Sequence, residues 1–389
     1  MEWKKAATVE GGISIPERWI YLRYYEVFNL LFRIENALRV FVFIVLKDHL
    51  REGWAEAHVI ADDDQGTIAS LAKKRLSQSQ SFGYLGHPIA CPIMHLNSGE
   101  LTRLIVSEAY WKLFKPHFLG GKEIIKSKLD EIGSIRNSFA HFRPVRTDDV
   151  DVLKQNSKHV LLGIEEFLNQ ALIQRDVVPT NTQDDWYRAL KTLGTDQCVF
   201  TFRQSVDEQW VRIGIKYRCP VIEGSFEPEY YAHYTPLTIR SSAILTKYPE
   251  IANDVCYLSE RVASKMRKDG NAEFSKVLSF VLSRSMLKSY DQGLKPALEE
   301  LLLTITDETE LIQQDNLARG QLVHSTSVSA HQEDAQKYWR WNNKGLETPV
   351  APSDPPEYWG NFSGSHDFIS ATDRYPWMPE DVSSDEIPF

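Results

Sequence analysis

Residues 122–144 have the sequence KEIIKSKLDEIGSIRNSFAHFRP. On a helix with 3.6 residues per turn, the apolar side chains share one broad face. These are Ile125, Leu129, Ile132, Ile135, Phe139 and Phe142. Asp130, Ser134, Asn137 and His141, at i, i+4, i+7 and i+11, form a polar stripe on another face. Because Pro144 ends the pattern, the stretch predicts an amphipathic helix over about Lys122–Phe142.

The first 178 residues predict a helical bundle. Helices are predicted over about Trp19–Leu50, Ser98–Phe114, Lys122–Phe142 and Thr147–Ile173. The first follows Pro16 and stops before Gly53, as helices often begin after proline and end near glycine. Residues 65–97 contain a Gln/Ser run followed by Gly83, Gly86, Pro88 and Pro92, which predict a long connecting segment. Four or five helices joined in this way indicate a bundle.

The pattern changes after Pro179. Strands are predicted at Gln197–Thr201 and Trp210–Val221, joined by a hairpin across Ser205–Glu208. Helices are predicted at about Glu250–Lys268, Ala272–Tyr290 and Leu294–Gln314. We therefore expect a mainly α protein with a helical bundle over residues 1–178, an α+β regulatory or recognition domain over 179–324, and an extended, acidic, Pro/Trp-rich tail over 325–389. The aromatic residues of the tail favour docking on the chain itself or on a partner over a solvated end.

Composition excludes several classes of protein. The chain has 389 residues, 42% of them hydrophobic, and a formal net charge of -9. This negative charge argues against a protein that binds nucleic acid over its whole surface. Residues 325–389 hold 4 Lys and Arg against 11 Asp and Glu, so the acidity is concentrated there. The four cysteines form no CxxC pair, which indicates reduced thiols rather than a disulfide framework or zinc ribbon. The apolar stretch Val27–Leu46 contains Arg33, Glu35 and Arg39, which disfavours a membrane span. We expect a cytoplasmic protein without a metal or cofactor.

Arg136 and His141 are the candidate catalytic residues. Cleavage of RNA through the ribose 2′-OH requires a base for that proton and a cation for the phosphate charge. Imidazole suits the first task and guanidinium the second, and neither needs a metal. The two residues are about 140° apart around a helix, so they share a cleft most easily across a two-fold interface.

The hexad Arg136-Asn137-Ser138-Phe139-Ala140-His141 resembles the R-x4-6-H signature of the HEPN superfamily. Glu35-Asn36-Ala37-Leu38-Arg39, with Gly53-Trp54 beyond it, resembles the first helix of HEPN domains in abortive-infection and related bacterial defence proteins. The resemblance covers about residues 15–175. It implies a homodimer in which two motifs meet at one cleft, and metal-independent endoribonuclease activity that leaves a 2′,3′-cyclic phosphate and a 5′-OH.

Carried over to this sequence, the resemblance makes His141 the base, Arg136 the phosphate-binding residue and Asn137 an orienting residue. Glu35 and Arg39 become supporting residues beside the cleft. The expected function is that of a toxin or antiphage effector that binds an RNA substrate, and a regulatory protein or antitoxin is a candidate partner.

Other interpretations of these residues stay open. Arg136 and His141 near a helix end are also compatible with binding to the last carbonyl groups. The bundle also suits a non-catalytic scaffold for dimerisation or for binding RNA or protein. Glu35 and Arg39, at i and i+4, also suit a simple salt bridge on one helix.

Two further groups of residues carry weaker signals. His87, Cys91 and His95 have a spacing that could bind a metal, but Pro88 and Pro92 break the helix that this would need. Basic residues at Arg212, Lys216 and Arg218, and in the cluster Lys265–Lys268, suit either solvated charge or contacts with RNA phosphates.

Overall fold

The structure is a computed structural model. It describes residues 7–9, 11–14, 22–60, 65–82, 91–141, 143, 146–227, 231–268, 270–313, 322–332, 338–364 and 375–377. Its helices are α1 (Leu22–Leu50), α2 (Ile68–Phe82), α3 (Ser98–Ile105), α4 (Trp111–Phe114), α5 (Lys122–Ala140), α6 (Thr147–Leu172), α7 (Asp185–Leu190), α8 (Ser241–Lys247), α9 (Pro249–Asp254) and α10 (Lys295–Gln313). No helix among these residues is both long and apolar enough to cross a membrane.

The strands form two small ribbons and two larger antiparallel sheets. The ribbons pair β1 (Ala7–Val9) with β2 (Gly12–Ser14), and β3 (His58–Ile60) with β4 (Gln65–Thr67). The remaining strands are β5 (Cys198–Gln204), β6 (Trp210–Cys219), β7 (Val221–Glu227), β8 (Tyr231–Ile239), β9 (Tyr257–Met266), β10 (Ala272–Ser283), β11 (Val323–Ser325), β12 (Val328–His331) and β13 (Arg340–Asn342). One sheet has the order β5-β6-β10-β9, and the other has the order β11-β8-β12-β13 with β7 paired to β8.

The predicted class of a mainly α protein is wrong. About 50% of the described residues are helical and 24% lie in strands, so the chain is an α+β protein. The predicted helices at Glu250–Lys268 and Ala272–Tyr290 contain β9 and β10 instead. The strand pattern of β9 and β10 could not be recognised in the sequence, because Glu260 and Lys276 occupy buried positions where an alternating pattern requires apolar residues.

In the helical region, α1, α5 and α6 follow the predicted helices closely, whereas the helix predicted over Ser98–Phe114 is divided into α3, which ends at Ile105, and α4. On α5, Ile125, Leu129 and Ile132 are buried, while the predicted polar stripe is exposed, which confirms the amphipathic assignment. Residues 68–82 of the predicted connecting segment form α2 instead, because Ile68 and Leu71 bury an apolar face that outweighs the Gln/Ser run. Pro16, Phe142 and Pro144, on which the predicted helix ends depended, lie outside the described residues.

The hairpin of β5 and β6 is confirmed, and its sheet carries a charged pair in the core. The Lys276 ammonium group lies 2.8 Å from the Glu260 carboxylate, and both side chains are fully buried. Lys276 also donates to the Ile239 and Leu346 carbonyls and to the Thr348 hydroxyl, at 2.9, 3.2 and 3.1 Å. Since each charge has several polar partners, this pair can remain ionised inside the protein.

Residues 344–364 and 375–377, here called the C-terminal arm, pack between α1 and β9. The Leu258 amide of β9 donates to the Glu357 carbonyl at 2.7 Å, and the Trp359 amide donates to the Leu258 carbonyl at 2.9 Å. The Trp359 ring stacks on Tyr257 with centroids 3.9 Å apart and also contacts Phe43 of α1. The predicted boundaries at 178/179 and 324/325 stay predictions, but one hydrophobic core extends across both positions.

The arm is also tied to α1 by charge. The Lys47 ammonium group lies 2.8 Å from the Glu357 carboxylate, with side-chain exposures of 1% and 8%. Lys47 donates a second bond to the Ala252 carbonyl at 2.7 Å, so one buried cation joins α1, α9 and the arm.

We expect Glu357→Gln to lower the free energy of unfolding by about 3 to 5 kcal/mol, because it leaves the Lys47 charge buried without its carboxylate. Urea denaturation followed by circular dichroism measures this. Glu299→Gln is the control, since Glu299 forms an exposed i, i+4 pair with Lys295 and its loss changes stability by at most about 0.5 kcal/mol. Equal effects of the two substitutions would contradict the structural role of the Lys47–Glu357 pair.

His117 makes stability depend on pH. Its ring lies between Phe167 and Phe41, with centroids 4.3 and 5.3 Å away. Burial, and to a smaller extent the nearby His49, lower the pKa of His117 to about 4. The folded protein therefore favours the neutral ring. Its contribution to stability is present above the ordinary histidine pKa of about 6.5 and is lost as the pH falls towards 4.

The free energy of unfolding of the wild type falls between pH 7 and pH 5. We expect this fall to be smaller by about 1 to 2 kcal/mol in His117→Gln, allowing for partial exposure of the ring to solvent. Urea titrations at several pH values measure the difference. His159→Gln, at an exposed position of α6, serves as the control and should keep the wild-type pH profile. A His117 variant with that same profile would show that another group is responsible.

Candidate active site

The carboxylate of Glu35 joins three elements of the helical region. Glu35 lies on α1, where one of its oxygens accepts a hydrogen bond from Arg39, one turn further along. Its other oxygen lies 3.3 Å from Nε of Arg136 on α5 and accepts a bond of 2.9 Å from the hydroxyl of Ser98 on α3. The two segments that carry the HEPN resemblance therefore meet at this carboxylate.

Arg39 is held on its other sides by neutral groups. Its Nε and Nη2 donate to the Leu96 carbonyl at 3.3 and 3.0 Å, and its Nη1 donates to Oδ1 of Asn36 at 3.2 Å. Burial lowers the pKa of Arg39; the Glu35 carboxylate opposes this shift, and the charges of Arg136 and Arg75 add to it. The salt bridge expected between Glu35 and Arg39 is present, and it is one part of a larger network.

A second ion pair supports the start of α3 beside Ser98. Arg75 of α2 binds both carboxylate oxygens of Glu100, at 2.6 and 2.8 Å. Glu100 accepts from the Asn97 amide at 2.9 Å, while the Asn97 side chain accepts from the Glu100 amide, also at 2.9 Å, so the two residues form a capping box. The Asn97-x-x-Glu100 spacing is visible in the sequence. The part played by Arg75 was missed because α2 was assigned to a connecting segment.

His141 and Asn137 lie at the C-terminal end of α5. The His141 amide donates to the Asn137 carbonyl at 3.1 Å, which makes His141 the C-cap residue. Its side chain is exposed and, among the described residues, has no hydrogen-bond partner. Oδ1 of Asn137 lies 3.4 Å from Nη1 of Arg136. The structure thus brings Arg136, Asn137, Glu35 and Arg39 together, and leaves the imidazole of His141 outside their hydrogen-bond network.

The network has an excess of positive charge. Arg39, Arg75 and Arg136 supply three guanidinium groups, whereas Glu35 and Glu100 supply two carboxylates. The gap beneath Arg136, between α1, α3 and α5, is lined mainly by apolar side chains and has room for no more than about one water molecule. An anion would therefore bind on the outer side of Arg136, whose side chain is 35% exposed.

No group of three His, Cys, Asp or Glu side chains with metal-binding geometry occurs in the part of the chain that the structure describes. Of the residues weighed as metal ligands, Cys91 is buried, and burial raises the pKa of its thiol well above the ordinary value. His87 lies outside the described residues.

No protein-family model matches this sequence, and no curated protein or solved structure is significantly similar to it. The HEPN resemblance of residues 15–175 therefore stays a prediction based on the two motifs. The geometry above is independent of that resemblance.

We expect Glu35→Gln to lower the free energy of unfolding by about 2 kcal/mol, between the values for surface and buried ion pairs, because Arg39 loses its only charged acceptor among the described residues. Combining Glu35→Gln with Arg136→Gln in a double-mutant cycle measures the coupling between these two side chains. Asp130→Asn, which breaks the fully exposed pair with Lys126 on α5, should leave unfolding unchanged. A coupling of zero would mean that Glu35 does not hold Arg136.

Proposed function

We propose that this protein is a metal-independent endoribonuclease of the HEPN type that acts as a toxin or antiphage effector. The observation that carries the proposal is the Glu35–Arg136 contact at 3.3 Å. It links the Glu-Asn-x-x-Arg segment of α1 to the Arg-Asn-x3-His segment of α5. Two motifs that were matched separately in the sequence are therefore parts of one polar network.

In the proposed reaction, the neutral imidazole of His141 takes the proton of a ribose 2′-OH. The 2′ oxygen attacks the adjacent phosphorus, and the bond from phosphorus to the 5′ oxygen breaks. The departing 5′ oxygen receives a proton from an imidazolium, which leaves a 2′,3′-cyclic phosphate and a 5′-OH. Imidazole exchanges protons near neutral pH, and the fixed charge of Arg136 stabilises the negative charge that develops on the phosphate.

Glu35 and Asn137 act as positioning residues in this proposal. Glu35 accepts from Nε of Arg136, and Asn137 lies beside Nη1, so two edges of the guanidinium group have fixed partners. Holding a planar cation in one orientation reduces the entropy lost when it binds a phosphate. Arg39, bound to the other oxygen of Glu35, fixes the carboxylate in turn.

We further propose that a two-fold dimer of the helical region completes the site. On an ideal helix, Arg136 and His141 would be about 140° apart, so the arginine of one protomer and the histidine of its partner are better placed around a single phosphate. Phe28 and Phe139 form a ring contact of 5.9 Å beside this site, and Phe28 is 56% exposed, which suits a surface covered by a second copy. The proposed RNA substrate and the buried, free thiols both fit a cytoplasmic protein.

A non-catalytic scaffold is the second candidate, and the same contact favours it. Arg136 bound to Glu35 is also the arrangement of an arginine that only joins two helices. In that case the bundle would serve dimerisation or binding of RNA or protein, and overproduction of the wild type or of a His141 variant would affect cell growth equally.

We expect the purified protein to cleave RNA in the presence of EDTA, with His141→Ala and Arg136→Ala each reducing the rate at least about 100-fold, as removal of a general base or a charge-stabilising group does. Denaturing gels and detection of the cyclic phosphate end measure the reaction. His159→Ala removes another exposed histidine and should keep full activity. Cleavage that needs added Mg²⁺, or that survives in His141→Ala, would refute the assigned mechanism.

A further inference from the structure

The sheet of β5, β6, β10 and β9 has one face in the core and the other partly open to solvent. On the open face, β6 presents Lys216 and Arg218, and β9 presents Arg261 and Lys265, all of them exposed. We call these four residues the basic sheet face. The sequence pointed to the β6 pair, but only the pairing of the strands shows that β9 adds two more cations to the same surface.

The strand register places the four side chains close together. Lys216 lies opposite Val277 of β10, which in turn lies opposite Arg261, so Lys216 and Arg261 share one row across the sheet. Neighbouring strands are about 4.8 Å apart, which separates these two backbone positions by about 10 Å. Arg218 occupies the next row, about 7 Å along β6, and Lys265 lies beyond it on β9.

The positive charges of this face are not balanced by acidic neighbours. Among the described residues, none of the four cations belongs to an ion pair, and the rows of Lys216 and Arg218 contain no acidic residue. A carboxylate on this face, that of Glu273, lies opposite Lys265 and is bound by Arg267. Such a concentration of cations is notable in a chain with a net charge of -9.

The neighbouring arginines of the sheet have other roles. Arg203 of β5 pairs with Asp176 at 2.9 Å. Arg212, which the sequence grouped with Lys216 and Arg218, donates to the Leu172 carbonyl at the end of α6 at 3.0 Å. The C-terminal end of α6 therefore covers one end of the sheet and leaves the other end, with the four cations, in solvent.

We propose that the basic sheet face binds the sugar-phosphate backbone of single-stranded RNA. The hydroxyl groups of Thr201, Ser275 and Ser279 lie on the same face, and hydroxyl donors beside Lys and Arg are typical phosphate contacts. Among the described residues, this face has no exposed aromatic ring on which bases could stack, and Val199, 56% exposed, is an aliphatic side chain in the row of Lys216. Binding is therefore electrostatic, independent of base sequence and dependent on salt.

The basic sheet face lies apart from the proposed cleavage site. The proposal of a binding surface rests on the proposed function only for the choice of RNA among polyanions. Helix α6 begins six residues after His141 and ends at Leu172 beside the sheet. Its 26 residues span about 39 Å. The basic sheet face thus holds a stretch of the RNA at a distance from the scissile bond.

The test measures fluorescence anisotropy of a labelled 20-nucleotide RNA of mixed sequence whose 2′ positions are all O-methylated, so that no 2′-OH attack can cleave it. We expect the quadruple variant Lys216→Gln, Arg218→Gln, Arg261→Gln and Lys265→Gln to bind at least about tenfold more weakly at low salt. The slope of log K against log salt concentration should fall in magnitude by about 2 to 3, since each phosphate contact on a single strand contributes about 0.7.

The matched control is the quadruple variant Lys112→Gln, Lys115→Gln, Lys158→Gln and Arg188→Gln. It removes the same charge from exposed positions elsewhere and should bind almost as wild type does. If the quadruple variant melts at a lower temperature than wild type, the double variant Lys216→Gln and Arg261→Gln provides the test. We expect it to change the slope of log K against log salt concentration by about half as much.

Equal losses in the basic-face and control variants, or no loss in either, would overturn the proposal. Loss of binding to vesicles of phosphatidylserine and phosphatidylcholine, with RNA binding intact, would overturn it in favour of a membrane contact. Failure of the proposed function is a separate result. If wild type cleaves no RNA while the basic-face variant alone loses binding to the methylated RNA, the binding surface stands and the ribonuclease assignment fails.

Discussion

The ammonium group of Lys47 and the carboxylate of Glu357 lie 2.8 Å apart and are separated by 310 residues in the chain. Removing two charges from water is costly, so such a pair is tolerated only where both partners are held in place. Here the stacked rings of Trp359 and Tyr257, and the contacts of Phe43 with Trp359 and Trp377, provide that support. The helical region, the four-stranded sheet and the C-terminal arm are therefore packed as one structure, and the orientation of α1 depends on residues at the far end of the chain.

The orientation of α1 in turn places Glu35 against α3 and α5. A single carboxylate receives hydrogen bonds from Arg39, Ser98 and Arg136, and the surrounding guanidinium groups outnumber the carboxylates. This excess charge is what an anionic substrate would meet, while the exposed imidazole of His141 lies at the end of the same helix as Arg136. The sheet face with Lys216 and Arg261 also carries positive charge, but it has no candidate base. In our proposals, that face binds a polyanion, and the site at Arg136 and His141 cleaves it.

Local patterns predicted much of the fold. The apolar period of α5 and the long apolar run of α1 gave the correct helices, and the alternation in β6 gave the correct hairpin with β5. Prediction failed for β9 and β10, because Glu260 and Lys276 interrupt the apolar face and neutralise each other only across strands. It also failed for α2, whose buried residues were outweighed by the polar composition of the segment around it. For β9 and β10, a contact between two strands determined the structure where the local pattern did not.

For the candidate site, too, the sequence predicted some features and only the structure revealed the others. Arg136, His141, Glu35 and Arg39 could be selected from the sequence, because their spacing within a helix determines which side chains are neighbours on that helix. The contact between Glu35 and Arg136, 101 residues apart, and the participation of Ser98 and Arg75, could not. They depend on how three helices cross, which is set by the packing of the whole core rather than by any local period. The sequence by itself determined the chemical groups and their helical faces, and the tertiary structure alone decided which faces meet, because packing joins side chains that no repeat along the chain relates.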